Sequence, residues 1–202
     1  RGRGLLQGLL IDIEPQVRRA AAFALGELVF PEGTPAAPAT AGVSASPASS
    51  AIPSLLRAAV DDDAETGSLA VEALGKLQAP LADVRRTLSA LAADEAAERL
   101  APALFRFRED AMVEVAVELD RSRLSPGSPA PPGPPAPLPA SAPAARAVHF
   151  GVAYALSRDA RSGALPHLRR LLEDPEVQIR AWAARGLGDV GDLADFARLE
   201  PL

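Results

Sequence analysis

The sequence predicts an all-α fold, an α-solenoid of about five stacked helix pairs interrupted by two disordered Pro/Ala-rich insertions. Three observations predict it. Alanine, the strongest helix former, makes up roughly a fifth of the chain, while aromatic residues are only 4%. Five stretches, 17–28, 66–77, 96–107, 148–159 and 179–190, share an apolar pattern centred on a small residue followed by leucine: Ala24-Leu25, Ala73-Leu74, Ala103-Leu104, Ala155-Leu156 and Gly186-Leu187. The shorter steps between these leucines give a period of about 31 residues; the longer ones overshoot it by about 20, and each contains one low-complexity segment.

Each repeat reads as a short apolar helix A, a turn rich in Asp, and then the aligned stretch as helix B. The repeats run about 4–30, 51–79, 81–108, 109–160 and 163–192. Helix A is expected over Ala51–Val60, Val84–Ala92, Glu109–Leu119 and Leu165–Leu172. In the first helix B, Val17, Ala21, Leu25 and Leu28 fall on one helical face. A single pair cannot bury such a face, so the pairs must stack. The interruptions are 31–50, rich in Pro, Ala, Ser and Thr, and the proline-dense 122–145, between the helices of the fourth repeat. Proline at this density forbids helices and favours extended polyproline geometry. A tether, or a ligand for a proline-reading domain, is the functional reading of these segments.

The turns carry a second pattern. Asp12, Asp61 and Asp174 each stand thirteen residues before a key leucine, where Asp can cap a helix N-terminus, and Pro15 and Pro175 suit the first turn. Arg18 and Arg180 follow Asp12 and Asp174 by six residues, so an Asp of one repeat can bond the Arg of its neighbour in a ladder along the stack. The ladder position holds Gly67 in the second repeat and His149 in the fourth, and the third has Ala96 and Ala97 there, which breaks the ladder in the middle.

The pattern Asp…Pro-x-Val-Arg…Ala-Ala-x-Ala-Leu-Gly resembles the bacterial HEAT repeats of the phycobilisome-lyase type. The first and fifth copies carry it, through Asp12, Pro15, Val17, Arg18, Ala24, Leu25 and Gly26, and through Asp174, Pro175, Ile179, Arg180, Leu187 and Gly188. A narrower likeness, through 148–158 and 180–188, is to the HEAT region of bacterial proteins that carry a separate cyclophilin-type prolyl isomerase domain. The resemblances imply a scaffold for a protein partner or for an adjacent domain of the same chain. As alternatives they imply the substrate-holding part of a larger enzyme such as that isomerase, in the cell envelope, or a bilin lyase-like protein. The compartment is otherwise open. The chain begins at Arg1 and reads as a piece of something longer.

Composition narrows the function. Cysteine is absent, which removes disulfides, thiolate metal sites and a cysteine nucleophile. A net charge of −5 argues against broad nucleic-acid binding, which needs basic stripes. No apolar run reaches the length of a membrane span. His149 and His167 lack the partners of a metal or hydrolase motif, and Asp61-Asp62-Asp63 lacks the alternation and glycine of a calcium loop. No catalytic residue, metal or cofactor is expected. The helix-B positions turned away from the key leucines hold Phe23, Tyr154, Trp182 and Arg185. With Arg19 they are the candidate partner-binding residues, since aromatics and arginine are typical interface anchors.

Overall fold

The computed structural model describes residues 2–28, 49–108, 111–124, 143–158 and 162–190. The described residues are helical throughout, with no strand among them. Ten α-helices follow in order: α1 (Gly2–Leu9), α2 (Pro15–Glu27), α3 (Ile52–Ala58), α4 (Ala64–Lys76), α5 (Leu81–Leu88), α6 (Ala93–Leu100), α7 (Ala111–Leu124), α8 (Pro143–Ser157), α9 (Leu165–Leu171) and α10 (Val177–Val190). Even-numbered helices fall on the five expected B stretches. All five key leucines, Leu25, Leu74, Leu104, Leu156 and Leu187, are buried, each contributing about 1.5–3 kcal/mol relative to exposure.

The chain forms two compact units, Arg1–Ala92 and Ala93–Leu202. In the first, α1 packs on α2, α2 on α4, and α3 on α4, while α5 lies against α3 and α4. In the second, α7 and α9 pack on α8, α9 also on α10, and α8 on α10. The boundary between the units falls within 81–108, between α5 and α6.

The third B stretch differs from its expected single helix. The chain leaves the α-conformation after Leu100 and runs as a 3-10 helix over Ala101–Arg106. Pro102 causes this: it has no N–H to donate and its ring clashes with the preceding turn. The 3-10 helix packs closely along α8. Gly151 permits the approach, because a Cβ there would sit 2.6 Å from the Ala101 carbonyl carbon.

Both insertion boundaries shift. Helix α7 runs on to Leu124 and α8 starts at Pro143, so helix takes up the ends of the segment 122–145. Proline suits that position as a helix start. Ser49 and Ser50 open a 3-10 turn that ends at Ala51. The expected disorder of 31–48 and 125–142 lies outside the described residues.

The turn aspartates take a different role from the expected one. Asp12, Asp61 and Asp174 do not cap helices. Each accepts the backbone N–H two residues on, from Glu14, Asp63 and Glu176 at 2.9 Å. This folds the turn locally, as Asx turns do. The N-cap of α4 is Asp63, which accepts from the Thr66 backbone N–H. Pro15 starts α2, whereas Pro175 stays in the turn ahead of α10.

Candidate functional site

Two arrangements stand out: a ladder of charged rungs through the turns, and an aromatic row on the B helices. In the first unit Arg18, on α2, meets Asp61 of the next repeat through two parallel bonds of 2.8 Å, from Nε and Nη2. Its Nη1 donates to the Asp12 and Ile13 carbonyls of its own turn. Burial works against the Asp61 charge, but the Arg18 bonds and the Asp63 N–H outweigh it and hold the carboxyl below the ordinary carboxylate range. Arg180 repeats half of this geometry, donating to the Asp174 and Pro175 carbonyls of its own turn.

Arg19, expected on the docking face, instead reaches the next repeat. It bonds Asp63, and its other amino group lies 2.6 Å from Glu65. The Arg19 bond, followed by those of Thr66, keeps the Asp63 carboxyl far below its ordinary range. This arginine is therefore a structural rung.

His149 occupies the Arg position of the fourth repeat and completes a buried network in the second unit. Its Nε2 is 2.8 Å from Asp174 and its Nδ1 3.0 Å from Asp120. His149, Asp120 and Asp174 are each only 2% exposed, and Arg170 bonds the second Asp120 oxygen. Both ring nitrogens face carboxylates, an arrangement that suits the doubly protonated imidazolium, which donates at both ends. An Asp–His pair is also part of many general bases. Here both nitrogens are engaged and out of contact with solvent, so this histidine has no free nitrogen to offer a substrate.

The aromatic row lies on the second unit. Phe105, on the 3-10 helix, meets the Tyr154 ring edge-on at 5.0 Å. Tyr154, on α8, meets Trp182, on α10, at 5.4 Å, and Trp182 meets Phe150 at 5.6 Å. These T-shaped contacts are the favoured aromatic geometry. All four rings are half-buried. The Arg106 guanidinium lies 4.4 Å from the Phe105 ring centre, while Arg185 is exposed. Phe23, in the first unit, is 53% exposed beneath Lys76.

Tyr154 and Trp182 are thus brought together, and Phe23 belongs to a different unit. Phe105 and Phe150 were not singled out from the sequence. Phe150 and Tyr154 are four residues apart on one helix, a spacing that places them on one face. Phe105 follows the break at Pro102, where helical register no longer predicts direction.

A HEAT-repeat family model matches residues 164–194, which span α9 and α10. The fold is a HEAT-type α-solenoid. Among solved structures it is similar to the complex of CpcE and CpcF of phycocyanin lyase from Nostoc sp. PCC7120, with a TM-score of 0.61. The likeness covers 98% of this chain and 68% of that one at 18% identity. It is a likeness of fold. No curated protein matches the HEAT array. Among the described residues no helix is long and apolar enough to cross a membrane, and no cluster of three or more His, Asp or Glu is placed to hold a metal ion.

Proposed function

We propose that this HEAT array is a protein-binding scaffold, non-catalytic in itself, whose docking face is the aromatic row of the second unit. The observation that carries the reading is the run of four half-buried rings across the 3-10 helix, α8 and α10, with Tyr154 and Trp182 at its centre. Rigid aromatics give large contact area at low entropic cost, and they dominate interface energetics. The solved structure with a similar fold is itself a complex of two proteins, which supports a protein partner here, in a separate chain or in an adjoining domain. Arg185, exposed on α10, adds an anchor at the edge. Phe23 offers a smaller second contact in the first unit.

The test is affinity capture with this chain and with the Tyr154→Ala/Trp182→Ala double variant, after circular dichroism has shown equal helicity. Partners retained by the first and lost by the second support the reading. Equal capture by both excludes this face.

A second reading takes the phycocyanin lyase likeness further, to a bilin lyase-like role. On that reading a linear tetrapyrrole mixed with the protein changes its visible absorbance, and an unchanged spectrum removes it.

A further inference from the structure

The rings of the docking face carry hydrogen-bond donors that the chain itself does not use. Tyr154 and Trp182 are half-buried, yet among the described residues the Tyr154 hydroxyl and the Trp182 indole N–H have no acceptor. The polar ends of tyrosine and tryptophan usually find a partner once the rings are covered. Charge gives the face no preference. Arg158 and Arg185 are exposed, without an ion-pair partner among the described residues, and two exposed carboxylates balance them, Asp189 one turn beyond Arg185 and Glu98 on α6.

Rings and free donors together select the occupant. A face of this kind suits a chain that offers carbonyl acceptors and brings few N–H groups of its own. A polyproline II segment does both: it forms no internal hydrogen bonds, so its carbonyls stand free, and each proline lacks the N–H. Its apolar pyrrolidine rings pack on aromatic side chains, as in other grooves that bind proline-rich segments. The dimensions agree. One polyproline turn of three residues advances about 9 Å, close to the spacing of about 8–10 Å between packed helices. The ring centres of Phe105, Tyr154 and Trp182 follow one another at 5.0 and 5.4 Å, so about one turn covers them.

We propose that the face binds an uncharged, proline-rich segment of a partner protein in polyproline geometry. Its prolines lie against Phe105, Tyr154 and Trp182, and its carbonyls accept from the Tyr154 hydroxyl and the Trp182 N–H. The inference rests on the docking-face reading above. Such a segment is already extended before it docks, so little conformational entropy is lost on binding.

The chain has a single tryptophan, Trp182, which makes its fluorescence a reporter within the face. The probe is a synthetic peptide with the sequence of residues 126–139, which carries no charged residue and spaces Pro126, Pro129, Pro132 and Pro135 three apart. Its control has alanine at every proline. The proline peptide is expected to shift Trp182 emission saturably, with an affinity that salt leaves nearly unchanged, and the alanine peptide is expected to leave the emission in place. Tyr154→Phe keeps the ring and removes one donor, and it is expected to weaken the proline peptide by about five- to tenfold. Trp182→Phe, followed by calorimetry, is expected to weaken it comparably. Proline and alanine peptides that shift the emission alike, with no effect of Tyr154→Phe, overturn the proline preference while the docking face stands. Emission unmoved by both peptides overturns the proline-binding role and leaves the docking face to the affinity capture above. Binding that appears only once 125–142 are replaced by a Gly-Ser linker of equal length overturns the partner in favour of the chain's own segment. Circular dichroism of each variant separates a binding defect from a folding one.

Discussion

His149 reaches Asp174 from the same helix position at which Arg18 reaches Asp61. Each stands seven residues before a key leucine, Leu156 and Leu25, and each ties helix B to the turn of the following repeat at 2.8 Å. The two rungs differ in chemistry. The guanidinium meets one carboxylate through two parallel bonds, while the ring bridges two carboxylates, Asp174 and Asp120, through its two nitrogens.

The histidine rung is expected to be a determinant of the second unit's stability. Replacing His149 by Ala removes the ring bonded to Asp174 and leaves Asp120 with Arg170, and it is expected to cost about 3–5 kcal/mol. His149→Gln, which can still donate to one carboxylate, is expected to cost less. Urea unfolding followed by Trp182 fluorescence measures both, and a midpoint unmoved in His149→Ala refutes the rung.

The arginine rung is expected to fail in acid. Asp61 is held below its ordinary value, so its contribution is present above an unfolded pKa of about 3.9 and is lost as the pH falls through the folded one. Protection factors of the α2 and α4 amides are expected to fall in acid, and in Asp61→Asn to be low already at pH 7. Arg18→Lys is expected to lower stability as well, because an ammonium cannot donate two parallel bonds to one carboxylate. Protection factors unchanged in both variants place the rung outside the determinants of stability.

Much of this was legible in the sequence because it follows from spacing. The five leucines declared the B helices, and the offset of Arg18 from Asp12 declared a rung. What spacing did not give was the identity of the partners. Asp120 lies in α7, a helix the repeat pattern marks only loosely, and it joins His149 through tertiary packing. The aspartates misled because Asp serves N-caps and Asx turns alike, and a shift of two residues decides between them. Arg19 misled because an arginine beside a ladder arginine reads as surface, while Asp63 and Glu65 approach it from the next repeat. Phe105 escaped because Pro102 changes the helix type ahead of it.

Two glycines in B helices are expected to respond to alanine with opposite signs. At Gly188 a Cβ meets nothing within 4 Å. Alanine there gains helix propensity, and Gly188→Ala is expected to raise stability by about 0.5–1 kcal/mol. At Gly151 a Cβ would lie 2.6 Å from the Ala101 carbonyl carbon and 2.7 Å from its oxygen. These are backbone atoms of the 3-10 helix and cannot rotate aside, so α8 must move away. Gly151→Ala is expected to cost about 1–3 kcal/mol and to separate Phe105 from Tyr154. The measurement is urea unfolding of both variants, with Trp182 emission reporting on the row. If Gly151→Ala unfolds at the wild-type urea concentration and leaves the emission in place, the close packing of α8 on the 3-10 helix is not what positions the docking face.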